Sequence, residues 1–312
     1  MNQTTNSILM IRPVAFRMNE QTAINNYYQK VLDGLTPETV NAKAQQEFDA
    51  FVQKLRMVGV DVTVVDDTLD PDTPDSIFPN NWISFHENGD VVLYPMFAEN
   101  RRAERREDIL DILEDNGFEI KDEIIDYTSA EEDGYYLEGT GSIVLDRENG
   151  KAYCALSPRA DEELFIEFCE DFDLNPIIFE AFQTFNGERK LIYHTNVMMC
   201  IGDTFAVICA DCIDDKKERK MVLDSLKSDE KEIVLITEDQ MNNFAGNMLE
   251  LLGSDERRYL VMSSSAYHAL TKKQIAQLEE HITILHSSLD TIEACGGGSA
   301  RCMMAEIFLP KN

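Results

Sequence analysis

Residues 191–210, LIYHTNVMMCIGDTFAVICA, carry two β-rich apolar runs, LIYHTNVMM and FAVICA. Behind them come an amphipathic helix pattern from Asp215 to Leu226 and the run EIVLIT at 232–237. Paired strands, a helix and a further strand form one unit, and the order recurs at roughly 60-residue spacing. Further β-rich runs fall at 7–14, 60–67, 82–96, 143–157, 259–264, 282–287 and 303–309. Helix patterns cover Pro37 to Val58, Glu99 to Asn116, Asp161 to Phe172 and Thr271 to His281. The chain reads as α/β, a pseudo-fivefold repeat of ββαβ units, with no Pro/Gly/Ser-rich linker, and 1–312 is kept as a single domain.

Composition narrows the function. Twenty-eight Lys+Arg stand against 58 Asp+Glu for a net charge of −30, and so acidic a surface repels phosphate backbones and anionic membranes. Neither nucleic acid nor membrane is an expected partner. A small amino-acid substrate is, and a homo-oligomer is compatible with the composition. No apolar run reaches the roughly 20 residues of a membrane helix, and MNQTTNSILMIR lacks a basic segment followed by a long apolar one. A cytoplasmic location is expected. Seven irregularly spaced cysteines suit free thiols in a reducing compartment, so one of them can be a nucleophile.

The segment Ala294-Cys-Gly-Gly-Gly-Ser-Ala-Arg-Cys302 is the most unusual. Three successive glycines cost backbone entropy that a plain connector avoids. A Gly-rich turn that brings Cys302 beside open backbone N–H groups suits a thiolate attacking a carbonyl-like carbon. A phosphate loop fits less well because no Gly-Lys-Ser/Thr follows, and a tight turn with a buried cysteine is the bland alternative.

Of five histidines, His194 sits in what reads as an apolar strand flanked by hydroxyl and amide side chains, where an imidazole needs a polar purpose or is an ordinary satisfied core residue. A base needs an orienting group, and Glu138 in Leu-Glu-Gly-Thr-Gly offers a carboxylate, unless it is only a turn acid. Pro74-Asp-Ser-Ile-Phe-Pro-Asn-Asn-Trp82 could line a pocket with neutral donors and acceptors. Cys209-Ala-Asp-Cys212 has the spacing of a redox or metal pair but no second pair or histidine with it, so neither metal nor cofactor is expected.

Together these pieces resemble the guanidino-group modifying superfamily of arginine deiminases, dimethylarginine hydrolases and amidinotransferases. Glu138 in L-E-G, His194 in Y-H-T-N and Cys302 after G-G-G-S-A-R stand in that superfamily's chain order. The segment Phe78-Pro-Asn-Asn81 looks like its Phe-x-x-Asp motif, Asn100-Arg-Arg like its basic motif at Arg101, and Leu-Ser-Pro-Arg159 like the position that holds a substrate α-carboxylate. The resemblance spans about residues 10–309 and implies the pentein fold, a five-bladed α/β propeller, with catalytic Cys302, His194 and Glu138. It also implies Arg159 and Arg101 at the α-carboxylate and Asp75 at the α-ammonium.

Two departures bear on the substrate. The family's guanidinium-binding aspartates correspond to Asn81 and Asn196 here, so the pocket looks built for a neutral ureido group. The opening R-P-V-A-F-R-M-N-E-Q-T is similar to the citrulline hydrolase branch, with Asn19 a further candidate to reach the substrate. L-Citrulline hydrolysis to ornithine, ammonia and carbon dioxide is therefore expected. The nearest alternative is an arginine dihydrolase, a branch that likewise carries Asn at the Phe-x-x-Asp position; a deiminase or dimethylarginine hydrolase-like enzyme and a non-catalytic binding protein on the same fold are the others.

Overall fold

The computed structural model describes residues 2–254 and 256–311. Five three-stranded sheets share one topology, in which an outer strand runs antiparallel to a middle strand and the middle strand runs parallel to the third. In the first, Ser7–Arg12 pairs antiparallel with the C-terminal Ala305–Glu306 and parallel with Asp61–Asp66, in register Ile8 to Val62 and Met10 to Val64. The second is Ile83–Phe85, Val91–Leu93 and Ile125–Asp126. The third is Ile143–Asp146, Lys151–Ala155 and Asn175–Phe179. Met199–Ile201, Phe205–Ile208 and Glu232–Leu235 make the fourth, and Leu249–Leu252, Arg258–Ser263 and Thr283–Ser287 the fifth. A hairpin, Phe182–Phe185 with Glu188–Leu191, stands apart.

Each parallel pair is joined by a helix, as parallel strands require a crossover. The crossovers are Pro37–Met57, Asp108–Asp115, Glu162–Asp171, Lys216–Ser228 and Lys272–Glu279. Their starts obey capping chemistry: Thr36, Asp161, Asp215 and Thr271 each accept a hydrogen bond from a first-turn backbone N–H. The helix Pro37–Met57 buries Val40, Ala44, Phe48, Phe51, Val52 and Leu55, an i, i+4 stripe set against the first sheet.

The expected 191–199 strand is not one strand. The hairpin ends at Leu191, and after His194 the chain makes a single helical turn, Thr195–Met198, before Met199–Ile201 resumes. Local apolar content looks the same in both conformations, but Thr195 Oγ1 donates to Ser142 O at 2.5 Å and accepts from Ala155 N at 2.8 Å. Those two bonds turn the backbone. The expected helix over 99–116 is likewise split into Glu99–Arg102 and Asp108–Asp115. Among the described residues no helix is long and apolar enough to cross a membrane.

Candidate active site

Six chain segments, at 26, 75–81, 101, 159, 193–194 and 296–302, meet at one small cavity of about 10 Å³, room for about one water. Glu138 is fully buried, just ahead of the helical turn Gly139–Ser142. His194 Nε2 lies 2.7 Å from Glu138 Oε2, and Glu138 Oε1 accepts from Phe97 N at 3.1 Å. Arg159 Nη1 at 3.4 Å and Arg101 Nη1 at 3.9 Å face the same carboxylate.

The glycines around Glu138 have a steric cause. Gly139 has φ +44°, and a Cβ there would stand 2.5 Å from Asn80 O. A Cβ on Gly141 would lie 2.5 Å from Asn81 Nδ2 and 2.8 Å from His194 Nδ1. Leu-Glu-Gly-Thr-Gly therefore lets the asparagine and the imidazole close on the same backbone.

Burial by itself would raise the Glu138 carboxyl, but Arg159, the His194 bond and Arg101 hold it down at about 2. Burial lowers the His194 imidazole to about 4 against the opposing pull of Glu138. At neutral pH the pair is thus carboxylate and neutral imidazole. An ionised carboxylate can only accept, so the ring proton sits on Nε2 and the lone pair on Nδ1.

Cys302 lies in the 3₁₀ turn Ala300–Met303 and is buried. The turn before it is packed too tightly for side chains: a Cβ on Gly296 would sit 2.8 Å from the Phe78 ring, and one on Gly298 3.0 Å from it. Phe78 is thus the floor under the Gly-rich turn. The Cys302 sulfur receives Asn247 Nδ2 at 3.3 Å and Asn196 Nδ2 at 3.6 Å. Cys302 and His194 line the same cavity.

Asn247 escaped the sequence reading. It is fully buried, accepts from Arg301 N at 3.0 Å, and so fixes the backbone next to the thiol. Its trace was the single carboxamide in the apolar run Ala245 to Leu252, preceded by Gly246, where a Cβ would stand 2.4 Å from Val197 O. Asn26 and Tyr193, which also line the cavity, gave no comparable sign.

The other expected site residues divide. Asp75, Phe78, Asn81, Arg101 and Arg159 line the cavity, whereas Asn196 does not and instead packs its amide against the sulfur and Thr140 O. Asn19 lies outside it and donates to Asp75 Oδ2 at 2.8 Å, a bond shared with Thr22 Oγ1 at 2.9 Å. The second Asp75 oxygen is buried with no partner among the described residues. Arg101 is occupied by Glu104 at 2.8 Å through both Nε and Nη2 and by the carbonyls of Asp75 and Phe78, which leaves little capacity for a substrate carboxylate.

The orientation of Asn81 is settled by that arginine. Arg101 Nη1 lies 2.7 Å from Asn81 Oδ1, and a guanidinium only donates, so the amide oxygen faces Arg101. The NH₂ end therefore points away from it; one hydrogen goes to Asn80 Oδ1 at 3.1 Å and the other remains to donate.

The model of the eukaryotic N,N dimethylarginine dimethylhydrolase family matches residues 12–309 of the chain. No curated protein sequence matches it. Among solved structures, the arginine dihydrolase ArgZ of the cyanobacterial ornithine-ammonia cycle, in its apo form, has a TM-score of 0.73 at 16% identity, over 98% of this chain. This chain spans 41% of that protein's length. The N-terminal domain of ArgZ with a covalently bound reaction intermediate gives a TM-score of 0.70 at 16% identity, covering 97% of this chain and 99% of that one. A dimethylarginine dimethylaminohydrolase variant, as its adduct with S-methyl-L-thiocitrulline, gives 0.64 at 14% identity over 96% and 99%.

Proposed function

The chain belongs to the N,N dimethylarginine dimethylhydrolase family of guanidino-group modifying proteins, and from that premise we propose that it hydrolyses L-citrulline to L-ornithine, ammonia and carbon dioxide through a covalent intermediate on Cys302. The observation that carries the substrate is the Asn81 amide, a residue of the cavity lining whose oxygen is held by Arg101 and whose NH₂ keeps one hydrogen beyond its bond to Asn80. A ureido oxygen accepts that hydrogen. A guanidinium has only donors there and would meet a donor. Among the described residues the side chains that donate to the sulfur are the neutral carboxamides of Asn196 and Asn247.

In this mechanism the substrate carbon enters between Cys302 and His194. As the sulfur adds to the ureido carbon, the thiol proton passes to His194 Nδ1, and the oxyanion is met by the Asn81 amide. The imidazolium, braced by Glu138, returns the proton to the departing amine. Water then attacks the S-linked carbonyl with His194 as base, the thiol is restored, and the carbamate formed decomposes. The unpartnered Asp75 oxygen takes the α-ammonium and Arg159 the α-carboxylate. At present Asn25 Oδ1 occupies Arg159, accepting from Nε at 2.9 Å and Nη2 at 2.5 Å. Segment 19–31 therefore has to lift for the substrate to enter. The same family membership supports reading the five sheets as blades of one closed propeller in a single domain.

Turnover of L-citrulline, L-arginine and N,N-dimethylarginine, measured as ornithine and amine release, tests the substrate; faster turnover of either cationic amino acid overturns the reading. Asn81→Asp is expected to lower citrulline turnover about 10- to 100-fold, the cost of one lost donor in a buried site, and to favour arginine. Because neutral His194 takes the proton, kcat/KM should hold down to about pH 5 and fall as pH drops through about 4. A limb at the ordinary histidine value, with the fold intact by circular dichroism, would show that the imidazole is not desolvated.

A further inference from the structure

Four arginines are buried, and three of them have an anionic or amide partner. Arg101 holds Glu104, Arg159 holds Glu138 and Asn25, and Arg301 holds Glu306 Oε2 at 2.7 Å. Arg147 differs. It is 5% exposed and follows the strand Ile143–Asp146. Its backbone N–H donates to Gln3 Oε1 at 2.8 Å and its guanidinium lies 4.1 Å from the centre of the Phe308 ring. Among the described residues no carboxylate, carbonyl or hydroxyl accepts a hydrogen bond from that guanidinium.

The group lines a cavity of about 30 Å³ together with Gln3, Thr140, Asn196, Arg301 and Glu306. The charged lining is two guanidiniums and one carboxylate, and the carboxylate is taken by Arg301. The cavity is thus one charge positive inside a protein of net charge −30. Burial lowers the Arg147 pKa, with Glu306 pulling the other way. Apart from these polar groups the lining is aliphatic and sulfur-bearing, so a guanidinium with no acceptor beside it calls for one that carries charge.

We propose that this cavity is a binding site for one small monovalent inorganic anion of the chloride class, held by the Arg147 guanidinium. Monovalence follows from the charge count, since a divalent oxyanion would leave excess negative charge beside Glu306. The volume matches a monatomic ion or two waters. The cavity lies behind Asn196, which separates it from the Cys302 sulfur, and the proposal does not depend on the reaction proposed above.

Thermal unfolding of the full chain, with chloride replacing gluconate at constant ionic strength, tests this together with bromide-soaked crystals. The expected results are a saturable rise in Tm with chloride, loss of that rise in Arg147→Met, and a bromide anomalous peak within hydrogen-bond distance of the Arg147 guanidinium. An equal response in both proteins, or bromide peaks only at the outer surface, overturns the proposal. Should Arg147→Met fail to fold, the bromide peak and the ³⁵Cl linewidth of the wild-type protein, narrowed by added bromide, decide it alone; a linewidth no broader than that of free chloride counts against the site.

Discussion

Cys302→Ala is expected to abolish citrulline turnover while leaving the fold in place. In a nucleophile–base pair that acts as a unit, removing the nucleophile costs on the order of 10⁶-fold in kcat. The neighbours here offer no substitute. Around the sulfur stand two carboxamides, Asn196 and Asn247, neither of which can form the covalent intermediate. The other six cysteines lie outside the cavity, and burial raises the thiols of Cys154, Cys169, Cys200 and Cys295. Truncation removes one sulfur from a buried position, so stability should fall only by about 1–2 kcal/mol. Turnover assays with unfolding curves on the same preparation separate the two effects. Residual turnover within a hundredfold of wild type would end the assignment of Cys302 as nucleophile.

His194→Ala should lose roughly 10²–10⁴-fold in kcat, the contribution of one positioned acid–base group. Glu138→Gln is expected to reduce activity comparably but to damage the fold more. The buried carboxylate is the nearest charge to Arg159 and a second, more distant one for Arg101 beside Glu104, and removing one member of a buried charge cluster costs about 3–5 kcal/mol. The two variants thus differ in kind. His194→Ala should unfold near the wild-type midpoint, whereas Glu138→Gln should unfold at distinctly lower denaturant; the same midpoint for both would place the ion cluster outside the stability account. The pair also sets a pH dependence of folding. Both groups have folded values below their unfolded ones, His194 at about 4 and Glu138 at about 2. Their stabilisation is therefore complete above the ordinary histidine value. It is lost as pH falls, first through the His194 window and then through that of Glu138.

What the sequence disclosed and what it hid follow from the range of the interactions involved. Cys302 and His194 were legible as scarce groups beside glycines or small polar residues and Glu138 only through its flanking glycines, which mark close backbone approach, as the clashes at Gly139, Gly141, Gly296 and Gly298 show. The repeating strand–strand–helix–strand order was legible from hydrophobic period. The first sheet was not, because its outer strand Ala305–Glu306 comes from the far end of the chain. The strand Asn175–Phe179 carries a weak local signal: it opens Asn-Pro and only Ile-Ile-Phe reads as β. The strand expected at His194 became a helical turn through long-range bonds of Thr195 that no local pattern encodes. Asn19 and Arg101, expected at the substrate, make contacts within the protein. Asn19 steadies Asp75, and Arg101 turns Asn81.

The proposed hydrolysis of citrulline makes and breaks a sulfur–carbon bond at Cys302. Acid quenching during steady-state turnover of L-citrulline, followed by peptide mapping by mass spectrometry, looks for that bond. The prediction is a carbonyl-linked adduct on the peptide containing Cys302, lost when substrate is exhausted and missing from Cys302→Ala. Ornithine release with no adduct on that peptide, or with the adduct on another cysteine, would contradict it.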